Sequence, residues 1–375
     1  MFLQHISLVN FKNYSQLDLE FNPKINCFTG DNGVGKTNLL DAFYYLSFCK
    51  SYFNPLDSQN IRHEEPFFVI QGTFQHNGLD EHIYCGFKQG QRKQFKRNKK
   101  EYEKLSDHIG LIPLVMVSPA DSVLVNGGSE ERRKFMDGVI SQFDRQYLEY
   151  LLRYNRALAQ RNKLLKDFSS SGTFDTATIE IWDEQLVVLG TTIHEKRKIF
   201  ISDLIPVFRK YYDYISNGRE EVNLLYDSQL LYTDMRQLLN DSLHRDRLLQ
   251  HTTQGVHKDD LQLDIGGHPV KKTGSQGQQK TYLTALKLAQ FEYMHELNGF
   301  PPILLLDDIF DKLDAGRVRQ IIELVGENRF GQIFITDTGI ERLERMLAGS
   351  NVEYKIFMIG KTGTVDVPDY CPMKK

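Results

Sequence analysis

Hydrophobic and polar residues alternate along residues 2–11 and again, more cleanly, along residues 17–21, which predicts two β-strands. Asn10-Phe11-Lys12-Asn13-Tyr14 reads as the turn that joins them. Residues 24–29 form a short, mostly apolar run of the kind a buried strand uses. Leu39, Leu40, Phe43, Tyr44 and Leu46 then recur at helical spacing over residues 38–48. Residues 67–74 and 82–87 read as paired strands, linked through Asn77-Gly78, a hairpin signal. Residues 111–117 predict a further apolar strand, running into Ser118-Pro119-Ala120-Asp121.

From Ser129 the period changes. Phe135, Met136, Val139, Ile140, Phe143, Tyr147, Leu148, Leu151, Leu152 and Leu158 fall three or four apart, which predicts one long amphipathic helix. Ser129 is its expected N-cap, with Glu130 and Glu131 at its positive end. After a Ser/Gly break at residues 169–172, a second long helix carries Ile179, Trp182, Leu186, Leu189, Ile193, Phe200 and Leu204, and Pro206 is expected to bend or end it. Shorter helical pieces follow at residues 234–249. Two helices of ~30 residues would span roughly 45 Å, a compact lobe rather than a long arm. Strand character returns at residues 261–265, before a Gly266-Gly267 turn. A helix over residues 281–297 and strands over 303–308 and 332–338 complete the pattern. Strands and helices at both ends around a helical middle predict an α/β lobe interrupted by an insert. The expected parts are residues 1–125, first half of the lobe; 126–250, helical insert; and 251–375, second half.

Chemistry enters with Gly30-Asp31-Asn32-Gly33-Val34-Gly35-Lys36-Thr37, which fits G-x-x-x-x-G-K-[ST] at every fixed position, between a predicted strand and a predicted helix. Glycines let backbone N–H groups turn onto phosphate oxygens, and the helix start adds partial positive charge. Lys36 is expected to reach the β and γ phosphates of a nucleoside triphosphate, and Thr37 to ligate Mg²⁺. A net charge of −3 and a pI near 6.4 exclude a basic field over the whole protein, so contacts to nucleic acid have to come from local patches. One such patch is residues 88–104, with Lys96, Arg97, Lys99 and Lys100; a phosphate-contacting ribbon and a solvated hairpin turning near Arg97-Asn98-Lys99 both fit it. Cys27, Cys49, Cys85 and Cys371 form no C-x-x-C pair, so neither a zinc site nor a disulfide framework is expected. With no basic, apolar leader at residues 1–11 and no uncharged run of about 20 residues, a soluble cytoplasmic protein without a membrane partner is expected.

Ile303-Leu304-Leu305-Leu306-Asp307-Asp308 reads as a central parallel strand ending in two carboxylates. This order resembles the nucleotide-binding lobe of ABC-type ATPases. There Asp307 stands at the Walker B aspartate that holds Mg²⁺, and Asp308 where a glutamate usually polarises the attacking water. The shorter aspartate implies slow hydrolysis. Ser275-Gln276-Gly277-Gln278, at the start of a helix, resembles the ABC signature that meets a γ-phosphate held by a second subunit. Asp311-Lys312-Leu313-Asp314 resembles the D-loop. Where transporters carry a switch histidine, the candidates are Thr336, Asp337 and Thr338.

The chain as a whole resembles the RecF family of bacterial recombination-mediator ATPases, within the ABC/SMC-like class. The motifs that carry the resemblance are Asn10-Phe11-Lys12-Asn13-Tyr14, the phosphate loop with Asn38-Leu39-Leu40-Asp41-Ala42, Ser118-Pro119-Ala120-Asp121 and Arg132-Arg133-Lys134-Phe135-Met136-Asp137. Gln160-Arg161-Asn162-Lys163-Leu164-Leu165, Gly255-Val256-His257-Lys258-Asp259-Asp260-Leu261 and Ser275-Gln276-Gly277-Gln278-Gln279-Lys280-Thr281 add to them. The resemblance implies an ATP-dependent homodimer that binds DNA at single-strand gaps and junctions. It also implies work with RecO and RecR to load RecA, and support of the SOS response. Lys96, Arg97, Lys99, Lys100, Arg153, Arg156, Arg161 and Lys163 are the candidate DNA contacts, a solvated helix face being the plain alternative for those on the insert. The ATPase subunit of a membrane transporter is the alternative function. It would call for a switch histidine and a shorter helical part, and this sequence has neither.

Overall fold

The computed structural model describes residues 1–310, 315–326, 330–340, 343, 353–360 and 364–366. In chain order the strands and helices begin with β1 (Phe2–Phe11), β2 (Tyr14–Glu20), β3 (Ile25–Thr29) and α1 (Lys36–Phe48). Four strands, β4 (Phe67–His76), β5 (Leu79–Lys88), β6 (Gln94–Arg97) and β7 (Lys100–Glu101), precede β8 (Leu114–Val117). Helices α2 (Ser122–Asn126), α3 (Ser129–Ile140), α4 (Arg145–Ser171) and α5 (Thr176–Ser216) follow, then β9 (Val222–Asp227) and α6 (Met235–Leu249). The chain continues through β10 (Asp260–Ile265), β11 (His268–Pro269), α7 (Val270–Thr273) and α8 (Gln276–Asn298). It closes with β12 (Ile303–Asp307), α9 (Ala315–Gly326), β13 (Ile333–Asp337), β14 (Tyr354–Ile359) and β15 (Val365–Asp366).

Two compact units result. The first holds Met1–Asp121, Tyr211–Gly218 and Ser275–Lys375; the second holds Ser122–Lys210 and Arg219–Gly274. Residues 251–274 therefore run with the second unit.

Among the described residues, the first unit carries two six-stranded sheets. One is antiparallel, in the order β2-β1-β4-β5-β6-β7. The other runs β15-β14-β3-β13-β12-β8 and is parallel except for β15. Every residue of β3, β8, β12 and β13 is buried, as strands covered on both faces must be, and this accounts for their unbroken apolar runs. Phe43 of α1 packs on Phe334 of β13 at 4.5 Å between ring centroids, and Phe28 and Phe334 stack in parallel. The first helix is thereby pinned over the strand that precedes it.

The second unit is helical with a three-stranded sheet, β11-β10-β9, whose strand β9 the pattern of residues 219–228 had not suggested. The single helix expected from Ser129 is two. Asp144 takes an extended backbone and its side chain accepts from the N–H of Tyr147, starting a new helix at Arg145. Pro206 lies inside α5 and the helix runs on past it. Leu204 and Phe208 on either side are buried, and such burial offsets the backbone hydrogen bond a proline removes. Gly172, left-handed at φ 68°, closes α4.

Candidate nucleotide site

In a parallel sheet, ligands gather at the carboxyl ends of the strands, where the loops diverge. Four strand ends converge here. The phosphate loop leaves β3, Ser118 follows β8, Asp307 ends β12, and Thr336 with Asp337 ends β13. A cleft of about 170 Å³ lies among them, lined by Asn32, Gly33, Gly35, Lys36, Thr37, Asn38, Asp307, Asp308 and Thr336.

The loop's shape is set by its glycines and by the turn between β1 and β2. Gly30, Gly33 and Gly35 take φ of 145°, 82° and 113°. A Cβ at Gly35 would lie 2.3 Å from Asn13 Nδ2. Asn13 itself donates to Val34 O at 2.9 Å and accepts from Asn38 Nδ2 at 2.8 Å, while the Tyr14 hydroxyl donates to Gly35 O at 3.0 Å. Lys12 ion-pairs with the buried Asp41 at 2.6 Å, and Asp41 also accepts from Ser51 and from the N–H of Tyr52. The Asn10–Tyr14 turn thus braces the loop and first helix.

Within the cleft, Lys36 Nζ donates to the carbonyls of Gly30 at 2.6 Å and Asp31 at 2.9 Å. Burial lowers the Lys36 pKa, while Asp308, Asp307, Asp337 and Asp31 pull the other way. The Asp307 carboxylate accepts from the hydroxyls of Thr37 at 2.9 Å, Thr336 at 2.8 Å and Ser118 at 3.2 Å. Burial raises the Asp307 pKa; those three hydroxyls oppose the rise and neighbouring Asp308 adds to it. A hydroxyl beside a carboxylate is an all-oxygen donor set, which suits a hard divalent cation such as Mg²⁺. Ser118 and Thr336 had no stated role at Asp307 in the sequence, since only the fold brings them within 4 Å of it.

Ser275 caps α8: its hydroxyl accepts from the N–H of Gln278, and the Gln278 side chain accepts from the N–H of Ser275. Ser275 and Gln276 are exposed, and neither they nor Gly277 nor Gln278 lines the cleft of their own chain. Asp311, Lys312, Leu313 and Asp314 lie outside the described residues.

The basic candidates separate by environment. Residues 94–101 form a hairpin whose turn residues Asn98 and Lys99 both have positive φ. Lys99 and Lys100 are exposed. Arg97 is ion-paired to Glu81 through two of its nitrogens, and Lys96 sits over the Tyr84 ring at 5.3 Å. On α4, Arg153, Arg156 and Lys163 are exposed. Arg161 is not available as a surface contact. It is fully buried, bonded to Asp183, to Asp246 at 2.6 Å and to Thr252 at 2.9 Å, because its position on the helix faces the unit's interior.

A family model described as the RecF/RecN/SMC N terminal domain matches residues 2–362. The DNA replication and repair protein RecF of Phocaeicola vulgatus is 56% identical over 361 residues, 96% of either chain. Its namesake in Bacteroides fragilis is 54% identical over 360 residues, again 96% of both. A solved structure of the recombination mediator protein RecF-ATP in the RecFOR pathway superposes with a TM-score of 0.87 at 30% identity, covering 98% of this chain and 97% of that one. An Smc head domain from Pyrococcus furiosus, 15% identical over 99% of this chain and 96% of its own, shares the fold with a TM-score of 0.58.

Proposed function

The chain belongs to the RecF family, and from that premise we propose that it is an ATP-dependent DNA-binding protein of recombinational repair. Two copies close on ATP, each offering its phosphate loop and presenting Ser275 to its partner's γ-phosphate. The closed dimer binds single-strand gaps and single-/double-strand junctions, works with RecO and RecR to load RecA, and supports the SOS response. Slow hydrolysis resets it. Lys36 binds the β and γ phosphates. Thr37 and Asp307 would hold Mg²⁺, which neutralises charge on the transferring phosphoryl group when bound. Asp308 orients the attacking water.

The observation that carries this reading is the Thr37 hydroxyl 2.9 Å from Asp307, in a cleft that Lys36 and Asp308 also line. Ser275, exposed and absent from that lining, supports completion of the site by a second copy. The test is binding of gapped DNA by the purified protein with ATP, ADP and no nucleotide, at one stated salt concentration. Tighter binding with ATP is expected. Equal affinity in all three conditions overturns the reading.

A further inference from the structure

Asp308 takes a left-handed backbone, φ 48°, just past the end of β12. For a residue other than glycine that conformation costs roughly 1–2 kcal/mol and persists where neighbours hold it. Side chains from two other elements hold both of its backbone polar groups. Its N–H donates to Thr336 Oγ1 at 3.0 Å, and its carbonyl accepts from Lys280 Nζ at 3.2 Å. The single Thr336 hydroxyl proton goes to Asp307 Oδ1 at 2.8 Å, which leaves the oxygen's lone pair for the Asp308 amide. One buried hydroxyl therefore ties together the two carboxylate-bearing residues. Lys280 lies near the start of α8, whose cap is Ser275. The Asp308 residue so held forms part of the cleft wall.

We propose that Thr336 and Lys280 are positioning residues for hydrolysis, clamping the Asp308 main chain at its N–H and its carbonyl so that its carboxylate meets the attacking water. Released from the clamp, φ relaxes toward the ordinary region and the side chain turns away from the phosphate loop. Lys280 also gives each chain an internal link between the helix that starts at Ser275 and the acid of its own cleft. The proposal rests on Asp308 being the water-positioning acid.

The test measures fluorescent-nucleotide affinity and single-turnover ATP hydrolysis side by side for Asp308→Asn, Thr336→Val, Thr336→Ser and Lys280→Met. Hydrolysis is expected to fall on the order of ten- to a hundredfold in Thr336→Val and Lys280→Met, as for a reacting group displaced by up to an ångström. Nucleotide affinity should stay within about threefold of the parent in Lys280→Met, turnover should fall much further than affinity in Thr336→Val, and Thr336→Ser should keep turnover, since it keeps the hydroxyl. If Thr336→Val does not fold, Thr336→Ala takes its place. Arrest in Asp308→Asn with normal turnover in Thr336→Val and Lys280→Met overturns the clamp alone. Normal turnover in Asp308→Asn overturns the role of Asp308 and the clamp with it. Parallel loss of affinity and turnover in Thr336→Val also overturns the clamp, because it would make Thr336 a residue of the binding site at large.

Discussion

Lys36 satisfies its ammonium on two neutral carbonyls, those of Gly30 and Asp31. A triphosphate offers charged oxygens in the same reach, and bonds between charged partners are roughly twice as strong as neutral ones. The four nearby acids oppose the lowering of its pKa by burial. Lys36→Met keeps the stem and removes the charge. We expect ATP affinity to fall at least tenfold to a hundredfold, the range for losing hydrogen bonds to a charged group. Calorimetric titration with ATP and Mg²⁺ checks this, and an unchanged affinity would refute the site. Lys36 was readable from the motif alone, because its spacing from Gly30 and Gly35 is the chemistry. Asn13 reads in the sequence as a turn residue and as part of a family motif, not as a brace: its bond to Val34 O spans 21 residues, and no local pattern announces it.

On α4, spacing alone does not tell the solvent-facing arginines from the buried one. Arg153 and Arg156 are exposed, whereas Arg161, only five residues further on, is enclosed with Asp183, Asp246 and Thr252. Double substitution Arg153→Glu with Arg156→Glu is expected to weaken DNA binding and flatten its dependence on salt, leaving the thermal midpoint within a few degrees of the parent. Arg161→Ala should instead lower stability by about 3–5 kcal/mol, because it strands the buried Asp246 carboxylate and the half-buried one of Asp183. Gel shifts at several salt concentrations and urea unfolding separate the two effects; unaltered DNA affinity in the double variant removes this helix face from the interface. The elements themselves were legible where periodicity was strong, as in the alternation of β4 and β5 or the apolar run of β12. The break between α3 and α4 was not, since apolar spacing continues across it and the side-chain cap of Asp144 decides it. Strand β9 escaped notice because it is short and pairs with β10, about forty residues downstream.

For the whole molecule, acid and nucleotide are the two levers. His108 is enclosed in the first unit, donating from Nε2 to Leu46 O and accepting at Nδ1 from the Tyr102 hydroxyl. Burial depresses its pKa to about 4, so the folded protein holds it neutral. An unfolded chain takes up that proton near pH 6.5, hence the stabilisation is whole above that pH and is lost as pH falls toward 4. His108→Gln keeps a donor without the titration. The stability advantage of wild type over this variant should shrink between pH 7 and pH 5, by something on the order of 2 kcal/mol. A constant difference in urea unfolding would contradict the assignment. The nucleotide lever concerns two copies. On the proposed reading, Ser275, exposed and outside the lining of its own chain's cleft, meets a γ-phosphate held by a second copy. Ser275→Arg puts a bulky cation where the partner's phosphate would meet the helix start and removes the hydroxyl cap. Because one chain's cleft retains Lys36, Thr37 and Asp307 untouched, monomeric ATP binding should survive. ATP-dependent dimerisation should be lost, and ATP-stimulated DNA binding with it. Sedimentation of parent and variant with saturating ATP and Mg²⁺ reads this directly: a parent that stays monomeric, or a variant that dimerises as well as the parent, would rule out a nucleotide shared between two chains.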